Sequence, residues 1–501
     1  MHAAMKLQDP SLLKTQCYIA GQWQDTQNHT ATPKVFAVTN PATGEVLAQV
    51  TNGTHCDAEQ AVLAADAALR DWRGLTAKER AGYLQKWFAL IMENQTDLAL
   101  LMTSEQGKPI AEAEAEIAYA ASFIEWFAEE AKRIYGDIIP TNHDNKRLLT
   151  IKQPVGVVTA ITPWNFPSAM LTRKVGPALA AGCTIVIKPA AETPLSALAL
   201  VALAQRAGIP AGVINVIVGE DSAGIGEVLA THPKVRKITF TGSTRVGKIL
   251  LGLAAQSVKR VSMELGGNAP VLVFADADIE QAVTGVIASK YRNAGQTCIC
   301  INRVLVHEDI KEQFTQCLLE RVKSLLVGLG TEVSVTIGPL ITQQAVTRVH
   351  ALVTDALANG AVALLGGQAM TADKLIGQGL KQQQFYPPTI LDNVQPDTAL
   401  VNEEIFGPVL PLMTFATNQE AISIANATEY GLAAYIYTSD NSNAWRVSEA
   451  LEYGMVGVNE VGITSEVIPF GGIKESGLGR EGSKYGIDEY LETKYICMGL
   501  D

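Results

Sequence analysis

Between Pro154 and Gly266 the chain alternates between two kinds of segment, and this alternation limits the possible folds more than any other feature. Short apolar runs (Val157 to Ile161, Thr184 to Ile187, Val213 to Val218, Lys237 to Phe240, Val261 to Met263) take turns with helix-like stretches (Ser196 to Ala207, Ala223 to Ala230, Ser243 to Ala255). The pattern predicts a doubly wound parallel sheet, whose ligands sit beyond the carboxyl ends of its strands. The alternation restarts after Gly267 with Val271 to Phe274, a helix near Ile279 to Arg292, Val304 to Val306 and a helix from Lys311 to Leu326. A second α/β domain is therefore expected to begin near residue 266, with no Gly/Ser-rich or Pro-rich linker before it.

Ahead of the first sheet the period is helical. Asp57 is a plausible N-cap for a helix whose apolar face holds Val62, Ala65, Leu69 and Trp72, and Ala77 to Glu93 makes a second. The stretch AEAEAEI, Ala111 to Ile117, opens a third, and its glutamates read as a solvated face. Two segments fit neither sheet: Ile134 to Val155, a polar turn between extended runs, and the tail Tyr490 to Met498. A hairpin and a terminal strand leave unpaired edges, which a second subunit can cover.

With 501 residues there is room for about two to four domains. Lys and Arg number 39 against 51 Asp and Glu, a net charge of −12 without any basic stripe, which argues against a nucleic-acid or anionic-membrane surface. An anionic ligand would then need individually placed cations. Seven scattered cysteines read as reduced thiols, not a disulfide framework. The amino-terminal segment lacks the apolar core of a signal peptide, and the longest apolar stretch, Val175 to Ile187, is cut by Gly and Pro. A cytoplasmic protein without a membrane span is expected.

Several residues stand out chemically. Cys298, in RNAGQTCICINR, lies in a polar, Gly-containing turn where a thiol gains exposure, so a nucleophile competes with an inert core cysteine. Cys300 adds a CxC pair, which without further ligands is a weak metal signal; no metal is expected. FTGSTRVGK, Phe240 to Lys248, is a strand-to-helix turn whose N–H groups favour a phosphate. It has the spacing of a P-loop, but Ile249 stands where magnesium would need a hydroxyl. Glu264 ends a strand at the ligand edge and Glu404 sits in a turn; alone, each reads as solvated. In TPWNFP, Trp164 and Asn165 are held between prolines, which suits a pre-organised amide donor.

The segments TPWNFPSAMLTRK, IVIKPA, FTGSTRVG, MELGGN, NAGQTCIC, EEIFGP and PFGGIKESGLGREGSKYG occur in this order, and together they make the chain resemble the aldehyde dehydrogenase superfamily, in particular its succinate-semialdehyde dehydrogenase branch. The resemblance implies an aldehyde dehydrogenase-like α/β fold. A dinucleotide-binding domain would span 1–133 and 155–264, a catalytic domain 265–465, and a small oligomerisation element 134–154 and 485–501, giving a homodimer or homotetramer. It implies Cys298 as nucleophile, the Asn165 amide and the Cys298 N–H as oxyanion donors, and Glu264 as general base. Trp164, Lys188, Gly242, Ser243, Leu265 and Glu404 fall on cofactor-binding positions, with Glu404 at the nicotinamide ribose.

Where strictly NAD-dependent members carry a glutamate, this chain has Ala191, so NADP is expected to be preferred while NAD remains usable; Glu192 is the neighbouring carboxylate that could restore NAD preference. Arg173 and Arg292 match the branch's grip on a distal carboxylate, and Thr464, with Ser465 beside it, replaces its serine. Succinate semialdehyde, oxidised to succinate through a thiohemiacetal and a thioester, is the first expectation and glutarate semialdehyde the second. Cys300 matches a cysteine that in some members forms a disulfide with the nucleophile.

Overall fold

The computed structural model describes residues 6–26 and 34–500. Its largest sheet has eight strands, in the order Gln22–Gln24, Cys17–Ile19, Ile214–Val216, Thr184–Lys188, Val157–Ile161, Val235–Thr241, Arg260–Glu264 and Gly477–Leu478. The five central strands run parallel and the outer ones antiparallel. By chain position the central five lie third, second, first, fourth, fifth, so the winding reverses between Val157–Ile161 and Val235–Thr241. A doubly wound sheet opens a crevice at that reversal, and two singled-out motifs begin there: TPWNFP follows the first strand and Gly242-Ser243 the second.

Val157–Ile161 and Thr184–Lys188 are buried along almost their whole length, as strands covered on both faces must be. Part of the cover is Ala169–Ala181, a helix buried at every position, which stops at Gly182, whose φ of 96° closes the last turn in the left-handed region.

The second sheet has seven strands, ordered Val362–Leu365, Thr389–Asp392, Val409–Phe415, Ile301–His307, Ala269–Val273, Ala433–Tyr437 and Met455–Val458, all parallel except the first pair. The expected restart after Gly267 is its fifth strand, Ala269–Val273, paired on both sides. The hairpin and the tail pair with each other: Leu491–Gly499 runs antiparallel to Lys146–Pro154, which also pairs with Ile138–Ile139. Tyr135, Ile138 and Tyr495 around this small sheet are exposed. The chain beyond residue 465 returns to the large sheet before the tail, through Gly477–Leu478. Among the described residues no helix is long and apolar enough to cross a membrane.

Two local expectations are corrected. The first helix is His55–Gly74, and its N-cap is Thr54, not Asp57. Asp57 is the third helical residue and accepts the Thr54 N–H at 2.8 Å, the reciprocal half of a capping box, so an acid near a helix start was assigned to the wrong end of the motif. AEAEAEI opens the helix Ile110–Glu130, but only Glu114 of its three glutamates is solvated. Glu116 is buried and Glu112 is half-buried, because that face packs over the candidate site.

Candidate active site

Cys298 stands where two cavities meet. One, of about 300 Å³, is bounded by Arg173, Arg292, Tyr119, Phe166, Phe470 and Thr464. The other, of about 560 Å³, follows the crevice at the sheet reversal, past Trp164, Asn165, Gly242, Ser243, Leu265 and Glu404. Cys298 borders both.

The loop before Cys298 is held in an unusual backbone shape. Asn293, Ala294 and Gly295 have φ of 50°, 54° and 75°, so two residues with a Cβ sit side by side in the left-handed region, at a cost of roughly 1–3 kcal/mol each. Buried amides offset it. Asn293 Nδ2 donates to the Asn165 carbonyl at 3.0 Å and to the Gln296 carbonyl at 3.2 Å, and Gln106 donates to Asn293 Oδ1 at 2.8 Å. Gln296 Oε1 accepts the Ile341 N–H at 3.0 Å. On the far side, a Cβ at Gly267 would lie 2.2 Å from the Cys298 carbonyl oxygen, so only glycine lets these two backbones approach.

The same network orients Asn165. Its Nδ2 donates to the Gln296 carbonyl at 3.1 Å and its Oδ1 accepts the Phe166 N–H at 3.1 Å. An amide nitrogen carries two hydrogens, so one donor remains on a side chain that borders the crevice with Cys298. Burial pushes the Cys298 thiol up to about 12, with Glu404 and Glu264 adding to the rise and Arg173 and Arg292 opposing it. Glu264 is buried, neither carboxylate oxygen has a hydrogen-bond partner among the described residues, and it borders neither cavity. Burial, with the nearby Glu481, raises its pKa well above the carboxylate range, against Lys174 and Arg173.

Arg173 is 1% exposed. Its guanidinium donates to the Tyr119 hydroxyl and lies 4.9 Å and 4.3 Å from the Phe123 and Phe470 ring centres, which excludes a place on the helix surface. Arg292 is exposed, lies 5.1 Å from the centre of Phe166, and has no ion pair among the described residues. Thr464 borders the same cavity; Ser465 does not.

Residues that could hold a dinucleotide line the crevice. The helix Thr244–Ala255 points its N-terminus there, capped by Ser243, whose hydroxyl accepts the Val246 N–H. Thr241 Oγ1 is buried without a partner among the described residues, and Gly266 leaves bare backbone where a Cβ would come within 2.9 Å of Glu404 Oε2. An orphaned hydroxyl, a glycine wall and an open helix N-terminus suit phosphate and ribose groups. Glu404 accepts the Gly267 N–H at 3.0 Å, and burial raises its pKa to about 7. It is thus no solvated loop acid.

Lys188 and Ala191 lie off the crevice lining. Lys188 ends its strand 3% exposed, its Nζ donating to the Pro189 carbonyl at 3.4 Å and to no other group among the described residues; burial lowers its pKa, against Glu192 and Asp221. Cys300 is also outside both cavities, its Sγ turned to the carbonyls of Lys290 at 3.7 Å and Ile301 at 3.5 Å.

The sequence reading missed Glu112, Glu116, Tyr119 and Phe470 at the small cavity, and Arg245 and Arg348 at the crevice. Only the i, i+4 spacing of Glu112 and Glu116 hinted at a shared face.

The aldehyde dehydrogenase family model matches residues 27–496. The succinate-semialdehyde dehydrogenase [NADP(+)] of Escherichia coli is 54% identical over 496 residues, covering 99% of this chain and 100% of that protein. A glutarate-semialdehyde dehydrogenase of Pseudomonas putida is 55% identical over 497 residues, 99% of this chain and 100% of the relative. The crystal structure of an E. coli NADP-dependent enzyme superposes with a TM-score of 0.95 at 54% identity, covering 99% of this chain and 100% of that one. A full-length match in sequence and in fold, on a cysteine set between a doubly wound crevice and an arginine-bearing cavity, makes this chain a member of the aldehyde dehydrogenase family.

Proposed function

We propose that the protein oxidises a carboxylated semialdehyde, succinate semialdehyde first, to the dicarboxylate with NADP⁺ or NAD⁺ as hydride acceptor. The observation that carries this reading is the pair Arg173 and Arg292 in the cavity that ends at Cys298. A guanidinium fork matches a carboxylate in geometry as well as charge, so the two residues orient the substrate with its aldehyde toward the sulfur.

In this reading Cys298 Sγ attacks the aldehyde carbon, and the oxyanion that develops is met by the spare Asn165 N–H and the Cys298 backbone N–H. The thiol is protonated at neutral pH, so its proton has to leave as the bond forms. Glu264 is assigned as the base in its ionised form: its raised proton affinity makes that carboxylate a stronger acceptor than an exposed one, and it has no competing hydrogen-bond partner among the described residues. Once that proton has been passed to solvent, the same carboxylate, again ionised, accepts a proton from the water that attacks the thioester. When bound, the dinucleotide accepts the hydride; Thr241, Ser243 and the helix N-terminus would hold its phosphates and Glu404 its ribose.

Ala191 leaves no carboxylate at the position that would repel a 2′-phosphate, and Lys188 is the nearby cation, which supports NADP⁺ as the preferred form. One relative is named for succinate semialdehyde and NADP(+), the other for glutarate semialdehyde, and both substrates are carboxylated semialdehydes. Glutarate semialdehyde is the second reading, because Thr464 borders the cavity where the branch has serine and its methyl alters the fit to chain length. The domain division given above is kept as part of the proposal, as are a cytoplasmic location and a homodimer or homotetramer joined through the exposed three-stranded sheet.

The test is the rate of reduced-cofactor formation with succinate semialdehyde, glutarate semialdehyde and an uncharged aldehyde, each with NADP⁺ and with NAD⁺. The expected result is a higher kcat/KM for the two anionic aldehydes and for NADP⁺; equal or better use of the uncharged aldehyde overturns the substrate reading.

A further inference from the structure

The proposed chemistry leaves two groups at the small cavity unused, and both have the wrong charge for it. Glu112 and Glu116 border the space that holds Arg173 and Arg292. A carboxylate beside a site for another carboxylate repels the substrate and loses its own hydration, and burial does raise the pKa of Glu112. Some other interaction must account for two of them.

That interaction is with the backbone. Glu112 Oε2 accepts the N–H of Asn293 at 2.8 Å, the residue after Arg292 and the first of the left-handed residues before Cys298. One helical turn on, Glu116 Oε1 accepts the N–H groups of Ser168 at 3.0 Å and Ala169 at 3.2 Å, where the helix that carries Arg173 begins. The other oxygen of Glu116 pairs with the fully buried Lys108, whose Nζ also donates to the Asn165 carbonyl at 2.8 Å. Lys108 lies 3.9 Å and Arg292 5.1 Å from the centre of the same Phe166 ring. Glu116 thus has a counter-ion, while Glu112 makes no ion pair among the described residues and meets the cavity as an acceptor of one backbone N–H.

We propose that Glu112 and Glu116 are positioning residues for substrate-anion recognition: spaced by one turn of a single helix, they fix the two backbone segments that aim Arg292 and Arg173, and so set the separation of the two guanidiniums. The proposal rests on the semialdehyde reading. It accounts for acids in an anion cavity, because a carboxylate is the strongest side-chain acceptor for a buried N–H and a helix holds two of them at constant spacing. The segment that carries the more exposed arginine is held by Glu112 at the Asn293 N–H, alongside the Asn293 side-chain bonds and the Phe166 ring. Arg173 is also held by Tyr119, by its surrounding rings and by an ion pair with the buried Glu481 at 3.5 Å.

The test uses the full-length protein with succinate semialdehyde and an uncharged aldehyde of similar length. In Glu112→Ala the bond to Asn293 is lost and KM for the anionic substrate rises about tenfold, the equivalent of one charge-assisted contact, while KM for the uncharged aldehyde stays within about twofold. Glu112→Gln keeps an acceptor oxygen without the charge and is expected to stay within about threefold of the wild type for both.

An equal loss for both aldehydes in Glu112→Ala, or a Glu112→Gln that behaves like Glu112→Ala for the anionic one, overturns the proposal. If Glu112→Ala does not fold, Glu112→Asp, which keeps the charge and shortens the reach, is read by the same two outcomes. The wild-type preference between the two aldehydes tests the semialdehyde reading separately: its absence refutes that reading, whereas an intact preference that Glu112→Ala leaves unchanged refutes only the positioning role.

Discussion

The cavity bounded by Arg173 and Arg292 and the crevice bounded by Gly242, Ser243 and Glu404 share Cys298, yet they carry charge in different ways. The small cavity concentrates ions: two arginines and two glutamates that hold backbone, one of them backed by the buried Lys108. The crevice relies more on backbone: a helix N-terminus, glycine walls and an orphaned hydroxyl, with Arg245 at its edge and Arg348 engaged by Glu403 at 3.1 Å. A small carboxylate needs point charges at fixed positions, whereas a long dinucleotide can spread many weak contacts along a groove. In a chain of net charge −12, long-range attraction favours neither ligand, so short-range placement decides both.

The sharpest way to break this contrast is at the shared residue. Cys298→Ala is expected to lower kcat by on the order of 10³-fold or more with every aldehyde, while NADPH binding, followed by its fluorescence, stays within about twofold. Activity close to wild type would refute the junction as the reaction centre. Next in size is the small cavity alone. Arg292 is exposed, so Arg292→Leu carries little folding burden, and KM for succinate semialdehyde should rise roughly 10- to 150-fold, the equivalent of ~1.5–3 kcal/mol. The uncharged aldehyde and the cofactor should be unaffected; a matching loss for the cofactor would mean that the two sites do not divide the charge.

The smallest effect belongs to the crevice. Burial raises the Glu404 pKa to about 7, and in the proposed role a ribose hydroxyl is accepted best by the ionised group, so cofactor affinity should fall as pH drops through about 7, by roughly threefold. The sign follows from the raised value: below it the carboxyl group is protonated and loses acceptor capacity. Glu404→Gln should flatten the dependence, and an unchanged slope in that variant would assign it to another group.

Strand positions were legible because apolar runs and their breaks are local. Val157 to Ile161 appears at the expected bounds, and Ala77 to Glu93 coincides with its helix. Asp57 was misplaced by three residues, since Thr54 and Asp57 are both good capping residues and only the folded hydrogen bonds tell cap from partner. Glu112 and Glu116 were misread for a deeper reason. Helical period assigns residues to a common face, and what that face meets is settled by the loop 292–298 and the helix start at 168–169, both far away in sequence. Likewise the motif around Cys298 was visible as a string of residues, but not the consecutive left-handed turns that hold it or the opening of one sulfur to two cavities.

Covalent spacing and hydrophobic period were enough to establish a doubly wound sheet, a second α/β unit, a hairpin and a terminal strand, and the order of motifs that marks the family; that the hairpin and tail pair with each other came only from the structure. The features read from sequence depend on neighbours a few residues apart, where chain geometry leaves few choices. Tertiary structure decided which acids are buried, which arginine is free, that Glu264 lies beside but outside the cavities, and that Cys300 faces away from them. Those outcomes depend on desolvation and on partners brought together across the whole chain, and neither quantity is defined until the sheets have packed.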